Sequence, residues 1–430
     1  MSDPRRNAIV IVVDGWQSGM AGCYGNTWIR TPALDRLAAE AVVCDGATIA
    51  SADLAAFYRD LGAASGFGPN NLPRGPVAKL WGTLRDQKIH PALITDDPTV
   101  DEHFAGAAEL APADRLLLPA ETGRAARDVA TTQFARVLAA ASAWLAEAQA
   151  PFCLWIHSRG FTAAWDAPYE FRQQYADEED PAPPDFVRPP NLVLADSYDP
   201  DELLGIQQAY AGQVSALDDC LGALLEHFRE SSLAASTLLI VTAARGYPLG
   251  EHRIVGLERA APYSELIQVP LLIRAPAWTA EAARSAALVQ PADLGATLLE
   301  WFAPQIDPPI GAFSLGALLR GEEVAKASRP CGGRDRAATH LTSNCYSLRT
   351  ARWHLTAAQD TPPTDWRYGL FVKPDDRFEV NELSRRCPEV VEALIQAARD
   401  LQQANAAGKS AAGDEFPLPP LAEAATAEIE

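Results

Sequence analysis

The feature that most constrains this chain is a short apolar run close to its amino terminus. Residues 8–13 read AIVIVV, with no polar residue among them. An uninterrupted, β-branched run of this length predicts a strand that is buried on both faces of a sheet. Asp14 and Gly15 follow directly. Because open α/β sheets place their chemistry at the carboxyl ends of central strands, Asp14 is a candidate site residue.

A turn and a helix are predicted after this strand. Residues 23–26 read CYGN, a tight-turn sequence. Thr31 can cap a helix and Pro32 suits its first turn, with apolar residues following at helical spacing. Further predicted helices span residues 77–88, 132–148 and 210–229, and the strands that follow them span residues 91–97, 151–157 and 236–242. This alternation predicts a layered α/β sandwich.

Composition limits the classes of partner. The chain has 430 residues, of which 48% are hydrophobic, so a large core and two domains are expected. The formal net charge of -20 disfavours nucleic acid and anionic membranes as partners, because both require basic surfaces. The start lacks a signal-peptide core and no later stretch has the roughly 20 apolar residues of a membrane span, so we expect a cytoplasmic protein.

The cysteines do not indicate a structural framework. There are seven, which are scattered and include no CxxC pair. An odd, dispersed set predicts neither a disulfide framework nor a zinc site, and buried reduced thiols are expected instead.

The order of these motifs resembles the amino-terminal signature of the sulfatases, within the alkaline-phosphatase superfamily. The matching parts are the strand that ends at Asp14, GCYGN at 22–26 and TPALDRLAAEA at 31–41. The resemblance extends to about residue 400 and implies an alkaline-phosphatase-like, three-layer α/β/α sandwich with a small carboxyl-terminal α+β subdomain. We therefore predict a main domain over 1–333, the subdomain over 334–403 and a poorly ordered acidic tail over 404–430.

The resemblance also implies a site that binds a divalent cation beside a nucleophile. In sulfatases the first strand ends in two adjacent Asp residues, whereas here Asp14 is followed by Gly15. The family's nucleophile is the Cys or Ser of a C/S-x-P-x-R motif. Ser51 falls near that position, but Asp53 and Ala55 replace the Pro and Arg of the motif.

The second metal strand of the family ends in TSDHGE, and here the matching residues 242–246 read TAARG. Ala244 has no metal-binding atom in its side chain, and the guanidinium of Arg245 cannot deprotonate to bind a metal. We therefore predict that Arg245 pairs with Asp14 and neutralises the carboxylate that a lost cation would leave behind.

Other family positions change as well. The Lys and His that usually follow the second strand are replaced by Asp96 and Pro98, and Thr162 ends GFT where the family has DPH. Arg259 keeps the charge of a family Lys. The predicted pocket-lining residues are Asp14, Gly15, Asp96, His157, Thr162, Ala244, Arg245, His252 and Arg259.

Several of these residues also have purely structural interpretations. Ser51 is most simply the cap of the following helix, and Asp96 and Asp97 are more typical of a turn than of a metal pair. Single histidines such as His157 and His252 are more often structural than catalytic. No catalytic or metal-binding partners are predicted around the remaining histidines, which are His90, His103, His227, His340 and His354. Five tryptophans are expected in the core, namely Trp16, Trp28, Trp81, Trp155 and Trp165. Of these, Trp16 and Trp165 also match positions near the pocket of the family.

Three functional hypotheses follow. The first is a pseudoenzyme that lacks metal-dependent ester hydrolysis, has no cofactor and serves a binding or regulatory role, with a protein or a small anionic ligand as its partner. The second is an active sulfuric or phosphoric ester hydrolase, with Ser51 as nucleophile and with Ca²⁺ or Mg²⁺ held by Asp14 together with Asp96 or Asp97. The third is a structural subunit whose interface is the acidic, Pro-rich stretch 167–200. The sequence does not indicate an oligomeric state.

Overall fold

An eight-stranded mixed sheet lies at the centre of the computed structural model. The structure describes residues 6–61, 76–105, 114–119, 123–259, 261–276, 278, 283–307, 312–322, 336–342, 344–359 and 365–406. The strands of this sheet, in chain order, are β1 (Asn7–Val13), β2 (Val42–Ala47), β3 (His90–Thr95), β4 (Asp114–Leu117) and β5 (Phe152–Ser158). The remaining strands of this sheet are β7 (Thr237–Thr242), β9 (Leu271–Arg274) and β10 (Ala283–Val289). Two short strands, β6 (Leu192–Val193) and β8 (Ile254–Val255), form a separate two-stranded sheet.

The spatial order of the sheet is β10-β2-β9-β7-β1-β5-β3-β4, and only β9 runs antiparallel to its neighbours. The predicted first strand lies between β5 and β7, where Ile9 pairs with Leu154 on one side and Leu239 on the other. All seven of its residues are buried. A strand that is buried on both faces has no solvent-exposed side for polar residues, which explains the unbroken apolar run over residues 8–13.

Two groups of helices accompany the sheet. The helices are α1 (Pro32–Ala38), α2 (Leu54–Leu61), α3 (Pro76–Asp86), α4 (Pro98–Ala105), α5 (Gln133–Glu147), α6 (Tyr169–Gln173), α7 (Pro200–Glu230), α8 (Ser264–Ile267), α9 (Pro291–Phe302), α10 (Gly316–Leu319) and α11 (Pro388–Ala406). α7 packs against α1, α5 and α6, whereas α2 packs against α3, α4 and α9. This arrangement confirms the predicted α/β/α sandwich. No helix among the described residues has both the length and the apolar character to cross a membrane.

A second, smaller sheet is antiparallel and follows later in the chain. It consists of β11 (Arg336–Thr342), β12 (Cys345–Thr350), β13 (Trp353–Ala358) and β14 (Arg367–Val372), in that order. Trp353 and Leu355 from this sheet pack with Val390 and Leu394 of α11 in a separate apolar cluster. The small α+β unit is thus confirmed, whereas the boundary predicted at residue 334 lies outside the described residues.

Some sequence expectations need correction. The long helix begins at Pro200 rather than at residue 210. The last helix reaches Ala406, three residues into the predicted tail, and residues 407–430 lie outside the described residues. Trp28 is 41% exposed and so is not a core residue, whereas Trp16 and Trp165 are fully buried in the core.

The cysteines are free thiols in the described part of the chain. Four are buried, namely Cys44, Cys153, Cys220 and Cys387. Cys23 and Cys345 are half-buried. Cys331 lies outside the described residues.

Candidate functional site

Adjacent strands bring the matched residues to one edge of the sheet. Asp14 follows β1, Asp96 follows β3, Thr162 lies in a 3-10 turn after β5, and Arg245 follows β7. β3, β5, β1 and β7 are consecutive neighbours and run parallel, so their carboxyl ends share this edge. Residues spread over more than 230 positions of the sequence therefore meet at one place.

The buried Asp14 and the half-buried Arg245 form a bidentate ion pair, as predicted. Arg245 Nε donates to Asp14 Oδ1 and Nη2 donates to Oδ2, both at 2.9 Å. The Asp14 side chain is 1% exposed. Thr162 Oγ1 also donates to Asp14 Oδ2, at 3.2 Å. Both carboxylate oxygens are thus engaged, in the geometry for which a guanidinium is best suited.

The same guanidinium also holds the loop that contains Ser51. Arg245 Nη1 donates to the backbone oxygen of Ala52 at 2.7 Å. Burial lowers the pKa of Arg245, but the charge and hydrogen bonds of Asp14 outweigh it, so the pKa is raised. Arg245 is therefore a permanent cation between the end of β1 and the loop before α2.

The position after Asp14 is shaped for glycine. Gly15 has φ of +74°, and a Cβ there would lie 2.9 Å from Thr162 Cγ2 and 3.1 Å from Phe161 Cβ. The turn that contains Phe161 is fixed by a hydrogen bond of 2.8 Å from Phe161 N to the backbone oxygen of Asp14. A second aspartate at this position would meet both backbone strain and a steric clash.

Ser51 does not cap the following helix, which corrects that prediction. α2 begins at Leu54, and the Asp53 carboxylate caps it by accepting from Ala55 N at 3.1 Å. Ser51 Oγ instead accepts from Asp53 N at 3.2 Å, in a turn that precedes the helix. Ala50 O accepts from His340 N at 2.9 Å, so this loop is also joined to the smaller sheet.

His157 is buried at the end of β5 and bound to a tyrosine. Its Nδ1 lies 2.6 Å from the Tyr58 hydroxyl, which also accepts from Trp155 Nε1 at 3.2 Å. Burial lowers the pKa of His157 to about 4, with Arg245 and Arg159 acting in the same direction and Asp14 and Asp97 opposing.

His252 has a different environment, at the junction with the smaller sheet. Its Nδ1 lies 2.8 Å from Glu265 Oε1, its Nε2 lies 3.2 Å from the backbone oxygen of Glu379, and its ring stacks on Tyr263. Burial lowers the pKa of His252, but Glu265 and Glu379 outweigh it and the pKa is raised. Arg259 is exposed, and Ala244 is buried at the end of β7.

These opposite shifts give a testable pH dependence. We expect His157 to stay neutral at pH 5 and His252 to be protonated there, because the pKa of His157 is about 4 and that of His252 is raised above its ordinary value. NMR titration of the imidazole resonances, assigned with His157→Gln and His252→Gln variants, measures both. Titration of His157 near its ordinary pKa of about 6.5 would contradict this burial.

The two acidic residues after β3 have different roles. Asp97 Oδ1 accepts from Thr99 N at 2.7 Å and from Val100 N at 3.3 Å, so it caps α4 as the turn interpretation predicted. Asp96 is 1% exposed and its Oδ1 accepts from Arg159 N at 2.7 Å. Asp96 is therefore not a turn residue; it joins the ends of β3 and β5.

A cavity of about 490 Å³ lies next to this edge. Asp96 and Thr162 line it, as do Arg159 and Gln133, which the sequence analysis did not identify. Neither Asp14 nor Ser51 is among its described lining residues. The cavity therefore lies beside the ion pair and does not include it.

The sequence analysis did not identify a second polar cluster, which consists of His354, Lys373 and Glu379. His354 was predicted to have no functional partners nearby. In the structure its Nδ1 lies 2.5 Å from Glu379 Oε1, and Lys373 Nζ lies 2.8 Å from the same oxygen. All three side chains are at most 3% exposed. Elsewhere in the described ranges, too, no three His, Cys, Asp or Glu side chains are grouped so that they could hold a metal ion.

Comparison with known proteins gives the following similarities. A family model described as Sulfatase matches residues 86–304, just over half of the chain. An N-acetylglucosamine-6-O-sulfatase of Bacteroides thetaiotaomicron is 26% identical over 154 residues, which are 34% of this chain and 26% of that protein. The multifunctional alkaline phosphatase superfamily protein PehA of Trinickia caryophylli is 28% identical over 106 residues, 24% of this chain and 20% of its own length.

Solved structures match over almost the whole fold. The phosphonate monoester hydrolase of Agrobacterium radiobacter has a TM-score of 0.71 at 16% identity, with 93% of this chain and 96% of that chain covered. BT4656, in complex with its substrate D-glucosamine-2-N,6-O-disulfate, also has a TM-score of 0.71, at 17% identity, with 94% and 99% covered. At these identities the likeness establishes an alkaline-phosphatase-like fold.

Proposed function

This chain belongs to the sulfatase family, and on that premise we propose that it has kept the family's fold without the family's metal-dependent ester hydrolysis. In this proposal the protein is a pseudoenzyme with a binding role. The observation that carries the proposal is the ion pair between Asp14 and Arg245, in which both oxygens of Asp14 accept hydrogen bonds at 2.9 Å.

The donor set at this position does not fit a divalent cation. Ca²⁺ takes six to eight oxygen ligands, and Mg²⁺ requires near-ideal octahedral geometry. Here one carboxylate and the hydroxyl of Thr162 are present, whereas Gly15 and Ala244 have no donor atoms in their side chains. The charge of Arg245 would also repel a cation that approached Asp14. We therefore derive no reaction step through a metal.

The candidate nucleophile is not activated in this structure. A serine hydroxyl needs a neighbouring base or a bound cation to attack an ester at neutral pH. The hydrogen bond found at Ser51 Oγ joins it to the backbone of Asp53, and no base among the described residues is bound to it. This environment supports a structural role for Ser51 in the loop before α2.

Hydrolysis assays test the proposal directly. We expect purified protein to hydrolyse 4-nitrophenyl sulfate, 4-nitrophenyl phosphate and 4-nitrophenyl phenylphosphonate no faster than its Ser51→Ala variant, with Ca²⁺, Mg²⁺ or Mn²⁺ present. The phosphonate ester is included because one structural neighbour is a phosphonate monoester hydrolase. Cation-dependent turnover that Ser51→Ala abolishes would establish the competing hypothesis of an active ester hydrolase.

A further inference from the structure

The cavity beside the ion pair has the size of a small-molecule site and mostly apolar walls. Its volume of about 490 Å³ lies within the usual range for ligand pockets. It is formed where the ends of β3 and β5 meet the first turn of α5 and the segment 187–191. A ligand in this cavity is therefore expected to have an apolar body. The apolar lining residues are Phe134, Ala163, Ala164, Val187 and Pro189.

Two arginines provide positive charge on the exposed side of the cavity. Arg188 is exposed, and no hydrogen bond or ion pair within the described residues engages its side chain. The Arg159 side chain is 34% exposed, and its Nε lies 4.0 Å from Asp97 Oδ2, which is too far for a strong hydrogen bond. A guanidinium is permanently charged and can donate two parallel hydrogen bonds to an oxyanion. Both arginines are thus available to an anionic group.

A buried carboxylate lines the cavity away from solvent. Asp96 is 1% exposed, its Oδ1 accepts from Arg159 N at 2.7 Å, and the side chain of Gln133 also hydrogen-bonds this carboxylate. Oδ2 has almost no accessible surface, so we assign Asp96 no hydrogen bond to a ligand. Burial raises the pKa of Asp96 to about 6, and the group is mainly ionised at neutral pH. Its charge disfavours a second anion nearby, so an anionic group is expected at the arginines.

We propose that this cavity binds an amphipathic organic anion, with its anionic group on Arg159 and Arg188 and its apolar body inside. The shared chemistry of this ligand class is an oxyanion such as a carboxylate on a compact hydrocarbon body. The ligand needs no ester bond, and neither Asp14 nor Ser51 is among the described lining residues. This inference rests on the binding role proposed above and adds the class of ligand to it.

A matched pair of ligands tests the contact with the arginines. 3-Phenylpropanoate and 3-phenylpropanamide are nearly alike in shape and differ in a carboxylate against a neutral amide. We expect isothermal titration calorimetry at neutral pH to show at least about tenfold tighter binding of the carboxylate, the effect of one charge-assisted hydrogen bond. Propanoate, which has the charge but no ring, should show no saturable binding at millimolar concentration, because it buries little apolar surface.

Variants of the protein locate the two ends of the ligand. The double variant Arg159→Gln with Arg188→Gln should lower the affinity for the carboxylate to that for the amide. Arg259→Gln is the matched control and should change neither affinity, because Arg259 is exposed and is not among the residues that line the cavity. Ala164→Leu narrows the cavity and should abolish binding of both ligands.

The comparison of the two ligands on wild type requires no variant, and circular dichroism checks the fold of each variant. Equal affinity for carboxylate and amide would overturn the proposal. So would unchanged binding of the carboxylate by the double variant, or no binding of 3-phenylpropanoate at millimolar concentration. Because binding is measured without turnover, these outcomes are independent of the hydrolysis assays.

Discussion

Replacing Arg245 by Met is expected to lower the free energy of unfolding by about 3–5 kcal/mol, the usual cost of removing one partner of a buried ion pair. The variant keeps the length of the side chain but leaves Asp14 as an uncompensated anion, with its side chain 1% exposed. It also removes the hydrogen bond to Ala52 O. Urea denaturation followed by tryptophan fluorescence measures the change.

A double variant separates the charge effect from lost packing. Asp14→Asn combined with Arg245→Met removes both charges, and we expect it to be more stable than Arg245→Met alone, because no buried ion is left unpaired. Arg259→Met is the matched control, since Arg259 is exposed and its loss should change stability by less than about 0.5 kcal/mol. A neutral effect of Arg245→Met would show that Asp14 is not held as an anion by Arg245.

Replacing Glu379 by Gln is expected to cost a similar amount, about 3–5 kcal/mol, because it leaves Lys373 buried without its counter-charge. Glu379 Oε1 lies 2.8 Å from Lys373 Nζ, and Oε2 accepts from Ser264 N at 2.9 Å. Glu379 therefore joins the smaller sheet to α8. Urea denaturation gives the total effect, and hydrogen exchange should show the greatest loss of protection in β13, β14 and α8.

The same carboxylate predicts how stability depends on pH. Burial raises the pKa of Glu379, but His354 and Lys373 outweigh it and the pKa is strongly lowered. A carboxylate with a lowered pKa in the folded state adds stability above its ordinary pKa, and this contribution is lost as the pH falls. The difference between wild type and Glu379→Gln should thus shrink with acidification. Glu392→Gln, on the exposed face of α11, is the control and should show no such trend.

Secondary structure was predictable from the sequence where neighbouring residues form a recognisable pattern, such as a continuous apolar run. β1, β5 and β7 were predictable because strands covered on both faces are continuously apolar. β4, in contrast, reads DRLL with all four residues exposed, and so has no apolar run. The start of α7 was missed because Asp199 and Pro200, its cap and first residue, belong to an acidic, Pro-rich stretch that is otherwise typical of loops.

The candidate site was predictable where matched motifs meet at one edge of the sheet. The pairing of Asp14 with Arg245 was predicted because the resemblance matches both positions to the metal-binding strand ends of the sulfatases. The cluster of Glu379, His354 and Lys373 was not predicted, because no matched motif marks these residues or their partner Ser264 as neighbours. The cavity was missed for the same reason, since several separate segments of the chain form its wall.

Titration of metal-free protein with Ca²⁺ and Mg²⁺ tests most directly whether the site at the end of β1 has lost its cation. We predict that calorimetry detects no saturable binding that depends on Asp14, so wild type and Asp14→Asn should give the same heats. Stoichiometric binding of either ion by wild type, abolished in Asp14→Asn, would contradict the proposal that Arg245 has taken the place of the metal.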